Sequence, residues 1–365
     1  MGFTCGIVGL PNVGKSTIFN ALTHAGAQVE NYPFCTIDPN VGIIPVPDQR
    51  LDEIAKIVKP EKITPTSLEV VDIAGLVKGA SQGEGLGNQF LSHIRKVQAI
   101  IHVVRCFEDS HVVHVDGTID PLRDMEVINL ELALADLETV HKRMLYNERL
   151  MKGENKRAWE EQAVLEKVKA ALEKGQMVRT LDFIAEQTLL LLRELTLMTA
   201  KPVLYVANVS EDQLRSDSEC VKQVAEFARK EGARCVKICG SVEAEIASLP
   251  KEEQAPFLKD LGITEPGLNH LIREGYRLLN FITFFTAGPQ EVRAWTIQEG
   301  SKAPEAAGVI HSDFQKGFIR AETFSYDDLI KYGSEAEVKA KGLLRLEGKD
   351  YVVRDGDILF FRFNV

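Results

Sequence analysis

The chain has 365 residues, room for two or three domains with a large core, and its 45% apolar and 26% charged residues are the mix of an ordinary globular protein. A formal net charge of −10 excludes a general polycation, so any nucleic-acid partner must be met by a local basic patch. No apolar run reaches the roughly 18 residues of a bilayer span. The N-terminus has no charged-then-apolar leader, and Gly6 stands where a myristoylation signal wants Ser or Thr, so a cytoplasmic protein without membrane contact is expected.

Phe3-Thr4-Cys5-Gly6-Ile7-Val8 reads as a buried strand. It runs into Gly9-Leu10-Pro11-Asn12-Val13-Gly14-Lys15-Ser16-Thr17, which fits the phosphate-binding pattern G-x-x-x-x-G-K-[ST] without a mismatch. A helix over 16–25 follows, with Ile18, Phe19 and Leu22 on its apolar side. Strand, glycine loop and helix N-terminus aim successive N–H groups at one point. In this pattern Lys15 brings a positive charge to the β/γ-phosphates and Ser16 ligates Mg²⁺, with Asn12, Val13, Gly14 and Thr17 lining the cradle.

Residues 31–40 hold two prolines and no helical period, so they form a loop. In phosphate-loop switches a Thr in this loop reaches Mg²⁺ and the γ-phosphate, and Thr36 is the candidate. After a short helix over 51–58 comes the strand Leu68-Glu69-Val70-Val71-Asp72. Asp72-Ile73-Ala74-Gly75 matches the second half of such a site, where Asp72 holds Mg²⁺ through water and the Gly75 N–H senses the γ-phosphate. Glycines recur at 79, 83, 85 and 87, and a segment so costly to order suits a switch that orders around nucleotide.

A helix over 86–97 and a buried strand over 99–106 follow. Residues 9–17, 72–75 and Gly85-Leu86-Gly87-Asn88-Gln89-Phe90-Leu91-Ser92-His93-Ile94-Arg95 resemble an Obg-type G domain. Together with residues 31–40 and Asp313-Phe314-Gln315-Lys316-Gly317-Phe318-Ile319-Arg320-Ala321-Glu322, they make the whole chain resemble the YchF/Obg-like ATPase family. The resemblance implies an α/β P-loop NTPase fold with a mainly parallel sheet over 1–123 and 200–280, a helical coiled-coil hairpin inserted at 124–199, and a C-terminal β-grasp (TGS) domain over 281–365.

The loop over 107–122 carries His111 and His114. A long helix starts near Asp124, an acid at its positive end, and Val127, Leu130, Leu134, Leu137, His141 and Met144 fall on the three- and four-residue steps of a coiled-coil seam. Lys152-Gly153-Glu154-Asn155 is the hairpin tip, Leu165, Val168 and Leu172 lie on the return helix, and a third helix over 181–197 leads back. The charged outer faces read as solvated surface or as a partner-binding arm.

Residues 201–208 resume the sheet, and Asn208-Val209-Ser210-Glu211 stands where a G domain carries N-K-x-D. There the Asp accepts from guanine's Watson–Crick edge and the Lys stem packs on the base. Val209 and Glu211 replace them, and a site whose hydrogen-bonding group moves loses discrimination. The residues thus argue against guanine, and the resemblance implies ATP. A helix over 221–231 and a strand over 234–238 lead to Gly240-Ser241-Val242, the last base-contacting loop, with Ser241 its contact; helices run on to about 279. From Phe281 short β-type runs appear at 283–285, 293–297, 318–324, 350–353 and 358–363.

Leu76 occupies the place where Ras-type enzymes carry the Gln that orients the attacking water, so hydrolysis is slow or another group helps. The resemblance gives that role to His114; on spacing alone His114 is a solvated loop histidine, and His111 is a weaker alternative. Asn12 resembles the loop residue of potassium-stimulated G domains, where K⁺ supplies the charge of an arginine finger. The six cysteines (5, 35, 106, 220, 235, 239) form no C-x-x-C pair and are expected as buried free thiols rather than a metal site or disulfide. The expected reaction is Mg²⁺-dependent hydrolysis of ATP to ADP and phosphate, with Lys15 and His114 as catalytic residues. The resemblance implies ribosome association, with Arg293, Lys316 and Arg320 among the residues meeting rRNA and no DNA expected. A ribosome-associated GTPase, or a nucleotide-gated adaptor in stress or redox control, are the rival readings.

Overall fold

Strand and helix alternate through the first two thirds of the chain. β1 (Phe3–Val8) leads through the phosphate loop to α1 (Lys15–Ala27), followed by β2 (Val41–Pro45), α2 (Gln49–Val58), β3 (Lys62–Thr64), β4 (Ser67–Asp72), α3 (Leu86–Lys96) and β5 (Ala99–Arg105). The long α4 (Pro121–Met151) and α5 (Lys156–Leu172) form a hairpin, and α6 (Glu186–Leu195) returns to β6 (Val203–Asn208). Next come α7 (Glu219–Lys230), β7 (Arg234–Ile238), α8 (Gly240–Ser248), α9 (Lys251–Leu261) and α10 (Gly267–Leu278). The remainder is β8 (Phe281–Ala287), β9 (Glu291–Gln298), α11 (Ala303–Ile310), α12 (Ser312–Lys316), β10 (Phe318–Ser325), α13 (Tyr326–Tyr332), α14 (Glu335–Ala340), β11 (Arg345–Glu347) and β12 (Asp357–Phe363). This computed structural model describes residues 3–27, 40–73, 86–109, 117–153, 155–183 and 185–364. Two units emerge, one from Thr4–Ile43 and Glu69–Leu271, the other from Met1–Phe3, Ile44–Leu68 and Ile272–Val365. Among the described residues no helix is long and apolar enough to cross a membrane.

The larger unit is built on a six-stranded sheet in the order β2-β4-β1-β5-β6-β7. β1, β5, β6 and β7 run parallel. Every residue of β5 and β6 is buried, which is why both read as unbroken apolar runs rather than alternating ones. His102 interrupts the apolar run of β5 and Arg105 ends it; burial pushes the His102 pKa down to about 3, so it sits neutral beside Tyr205, 5.3 Å between ring centres. Because the strands are parallel, the loops after β1, β5, β6 and β7 leave the same edge of the sheet, where ligands of such sheets bind.

The seam expected on α4 is not the face that packs. Leu130 is 55% exposed, and Leu134 and His141 also face solvent. The buried positions are instead Met125, Ile128, Leu132, Ala133 and Val140, interleaved with Asp124, Asn129, Glu131 and Asp136. The first half of α4 lies against β5 and α7 as well as its hairpin partner, and polar residues on that inner face break the apolar period. Asp136 accepts the N–H groups of Met198 (3.1 Å) and Thr199 (2.7 Å). Leu137 and Met144 flank a core in which the expected Leu165, Val168 and Leu172 are buried. α4 also starts before Asp124, because Asp120 caps it by accepting from Arg123 N–H (3.1 Å) and Pro121 opens it. The helix expected over 181–197 is reduced to α6, with 3-10 turns at Val178–Thr180 and Met198–Ala200 on either side.

The expectation of free thiols throughout is corrected at two positions. Cys106, just past β5, is disulfide-bonded to Cys220 in the first turn of α7, with Cα atoms 5.6 Å apart. The two are 114 residues apart in sequence, so no local spacing announces the pair. Cys5, Cys235 and Cys239 are free, and burial pushes the Cys5 thiol up to about 12. Cys35 lies outside the described residues.

The smaller unit has a second six-stranded sheet, β11-β10-β12-β8-β9-β3. β8 pairs antiparallel with β9, and β10 with β12, while β12 and β8 run parallel. Alternation along the strands feeds two cores. Phe285, Val292, Ala294, Phe324 and Ile358 pack with Leu51 and Ile54 of α2, Leu329 of α13 and Val338 of α14. Phe284, Ile297, Phe318, Ala321 and Leu359 pack with Ala303, Ala306 and Ala307 of α11. The β-type run at 350–353 is not a strand; only Val352 makes a single bridge, to Lys302.

Candidate nucleotide site

The phosphate loop is shaped by two positive backbone angles, Asn12 at φ 61° and Gly14 at φ 95°. A Cβ on Gly14 would lie 2.2 Å from Asn208 Nδ2, so angle and space both demand glycine there. Gly14 O then accepts the Ile18 N–H (3.0 Å), closing the first turn of α1 at a helix end of the kind that binds anions.

Lys15 is only 7% exposed, and its Nζ donates to Leu10 O (2.7 Å) across the loop. Burial pushes its pKa down to about 8, against the pull of the Asp72 carboxylate. Ser16 Oγ donates to Asp72 Oδ2 at 3.2 Å. β4 delivers Asp72 there because the next residue, Ile73, donates its N–H to Ile7 O of β1 (3.2 Å). Asp72 Oδ1 is buried with no hydrogen-bond partner among the described residues. A buried carboxylate oxygen lacking a donor, beside a hydroxyl, is the kind of hard oxygen pair that Mg²⁺ takes. Among the described residues no group of three or more His, Cys, Asp or Glu could hold a metal ion.

Asn208, at the end of β6, is 4% exposed. Its Nδ2 donates to Val13 O (2.9 Å) and its Oδ1 accepts the Gly240 N–H (2.9 Å). Its amide thus ties the phosphate loop to the start of α8. Val209 is buried, with its N–H donating to Ile238 O (2.8 Å). Glu211 is exposed in a 3-10 turn, Glu211–Gln213, that Ser210 caps. Gly240, Ser241 and Val242 are not a loop: they form the first turn of α8, because Gly240 N–H is already anchored on Asn208. Ser241 is exposed there, its Oγ 3.2 Å from Cys239 Sγ, and Thr17 is exposed in the first turn of α1. Thr36, Gly75, Leu76, His111 and His114 lie outside the described residues.

Two residues near the site escaped the sequence reading. Arg105, at the end of β5, is buried; its Nε donates to Phe107 O (3.1 Å) and its guanidinium stacks 4.6 Å from the Phe107 ring, fixing the chain as it leaves β5. An arginine ending an otherwise apolar run was the available signal. Glu243 of α8 accepts the N–H groups of Gly267 (2.7 Å) and Leu268 (3.3 Å) at the start of α10. Burial pushes its pKa up to about 7 despite those two donors.

A glycine loop between β1 and α1, an Asp-ended strand beside its Ser, and an Asn bridging loop and α8 define a P-loop nucleotide-binding domain of the GTPase type. Residues 4–141 match a family model described as "50S ribosome-binding GTPase", and residues 281–364 match YchF-GTPase_C, described as "Protein of unknown function (DUF933)". The chain is 56% identical over 365 residues to the "Ribosome-binding ATPase YchF" of Escherichia coli O157:H7, covering 100% of both chains. It is 56% identical over 367 residues to that of Bacillus subtilis (strain 168), again covering 100% of both. The structure of the Schizosaccharomyces pombe YchF GTPase matches with a TM-score of 0.90 at 40% identity, covering 99% of this chain and 98% of that one. A GTP binding protein from Pyrococcus horikoshii OT3 shares the fold, with a TM-score of 0.61 at 20% identity. The chain belongs to the YchF family.

Proposed function

We propose that this chain hydrolyses ATP to ADP and phosphate with Mg²⁺ and that it binds ribosomes; its relatives are named ribosome-binding ATPases. The observation that carries the nucleotide reading is the cluster of Lys15, Ser16 and Asp72: a buried ammonium group beside a carboxylate oxygen that has no donor among the described residues. When bound, Mg²⁺ neutralises charge on the phosphate oxygens, and Ser16, Asp72 and Thr36 are its proposed ligands. Lys15 exchanges Leu10 O for the β/γ-phosphates, and the N–H groups from Val13 to Thr17 hold the chain of phosphates in place. Asn208 keeps that loop against α8. His114 is proposed to orient the attacking water, since Leu76 has no group to do so, and Gly75 to read the γ-phosphate. A K⁺ beside Asn12 is proposed to assist, which exchange of K⁺ for Na⁺ in turnover assays tests.

The base is the point at which the relatives' names divide, between "ATPase" and "GTPase". A buried Val209 and an exposed Glu211 do not reproduce the Lys and Asp that read guanine, which supports ATP. Calorimetric titration with ATP and GTP, with Mg²⁺ and with a chelator, tests the reading. Tighter ATP binding that weakens on chelation is expected, and a tenfold preference for GTP would make the chain a ribosome-binding GTPase instead. Residues 281–365 are proposed to form a TGS module, with Arg293, Lys316 and Arg320 meeting rRNA, and the protein to work in the cytoplasm.

A further inference from the structure

We propose that the tip of the α4–α5 hairpin docks on ribosomal RNA, with Trp159 and Tyr146 stacking on unpaired bases and Arg149, Lys152 and Lys156 holding phosphates. This rests on the ribosome reading above and names the surface and the chemistry it would use. Residues 142–159 contain six basic side chains (Lys142, Arg143, Arg149, Lys152, Lys156, Arg157) and two acidic ones (Glu148, Glu154). The segment is therefore +4 by itself in a chain of −10, and the bordering Glu138, Glu160 and Glu161 lower this to +1, so the cations left for a polyanion are the ones nearest the tip.

Three of those cations are already paired: Lys142 with Glu138, and Arg143 and Arg157 with Glu161. Arg149, Lys152 and Lys156 have no ion-pair partner among the described residues. The aromatic content of the tip is as unusual as its charge. Among the described residues only Tyr146 (52%), Trp159 (57%) and Phe363 are exposed aromatic side chains, and Phe363 stacks on Phe314. The other tryptophan, Trp295, stacks with Phe284 and donates Nε1–H to Thr286 Oγ1 (2.9 Å), whereas Trp159 has neither kind of partner among the described residues. On α4, Lys142, Tyr146 and Arg149 follow four- and three-residue steps, and on α5 Lys156 and Trp159 are three apart, so each helix carries cations and a ring along one stripe. The platform is held rigidly. Asn155 caps α5 through Ala158 N–H (3.2 Å), Ala158 and Asn147 are buried, and Arg143 and Glu161 pair at 2.7 Å across the two helices.

Exposed rings flanked by unpaired cations are what single-stranded and looped RNA uses, because unstacked bases offer flat faces and the backbone offers phosphates. A protein partner would instead need a matching acidic, apolar pocket. The test uses the full chain with Trp295→Phe, which leaves Trp159 as the sole tryptophan. Its emission should be quenched on adding purified ribosomes or isolated ribosomal RNA, as stacking requires. Trp159→Ala should weaken ribosome binding about fivefold or more, and Trp159→Phe should keep most of it. The triple Arg149→Glu, Lys152→Glu, Lys156→Glu variant should lose affinity and flatten its salt dependence. ATP turnover without ribosomes and the circular dichroism spectrum should not change in any of them. Unchanged ribosome affinity in Trp159→Ala overturns the tip assignment, and a blue-shifted, unquenched emission overturns RNA in favour of a protein pocket. If the unsubstituted chain does not bind ribosomes at all, the ribosome reading itself fails and this one with it.

Discussion

At Lys15, burial and function pull on one ammonium group. With its pKa pushed down to about 8, the free protein sheds this charge as pH rises through that value, well before an ordinary lysine would. A bound polyphosphate favours the charged form. Nucleotide binding above pH 8 should therefore take up close to one proton, and affinity should fall as pH rises through 8. Calorimetry in two buffers of different ionisation enthalpy measures that uptake, and Lys15→Ala should abolish it. Gly14 gives a second residue-scale prediction. In Gly14→Ala the new Cβ meets Asn208 Nδ2 at a positive φ, so strain of about 1–3 kcal/mol adds to the loss of the bond to Val13 O. The expected outcome is a folded chain with a lower Tm and strongly weakened triphosphate binding. The phosphate loop was legible in the sequence because its backbone shape admits few residue types at fixed spacing. The grip of Asn208 on Val13, across 195 residues, and the Cys106–Cys220 bond were not, because nothing local marks a partner so far away.

Between elements the same contrast holds. β5 and β6 were legible because a strand buried on both faces must be apolar throughout. The phase of α4 was not, because Asp124, Asn129 and Asp136 face inward with partners, so counting leucines picks the solvent side. Glu243 shows how such a buried acid joins two helices. It binds the first N–H groups of α10 from α8, and burial raises its pKa from 4.5 to about 7. A raised carboxyl pKa means that the folded state holds more protons than the unfolded chain between those values. Its contribution is therefore fully present below about pH 4.5 and lost as pH rises through 7. Urea unfolding at pH 5 and pH 8 should show the wild type losing more stability on going to pH 8 than Glu243→Gln does, by an amount of order 1–3 kcal/mol. Equal pH dependence in the two proteins would mean that Glu243 does not stay protonated in the fold.

At the scale of the whole molecule, the smaller unit draws on two long stretches of the chain besides Met1–Phe3, and the sequence shows only one of those two. The change to β-type composition at Phe281 marks the later stretch, and the family model covers residues 281–364. The earlier one, Ile44–Leu68, looks like any amphipathic helix and short strand, because an apolar stripe says that a face is buried but not against what. In the fold, α2 puts Leu51 and Ile54 into the core of Phe285, Phe324, Val338 and Ile358. β3 extends the sheet by pairing Lys62, Ile63 and Thr64 with Glu291, Val292 and Arg293. Arg50 adds a 2.7 Å ion pair to Asp355, whose other oxygen accepts the Thr283 N–H (2.8 Å). Burying a side chain such as Leu or Ile is worth about 1.5–3 kcal/mol. Losing both Leu51 and Ile54 therefore removes much of the roughly 5–15 kcal/mol that holds a domain folded. A fragment of residues 281–364 should accordingly lack a cooperative melt and a dispersed amide spectrum, although it matches a complete family model. Joining residues 44–68 to residues 272–364 through a flexible linker should restore both. If the 281–364 fragment melts cooperatively by itself, α2 and β3 are attachments to this unit rather than part of its core.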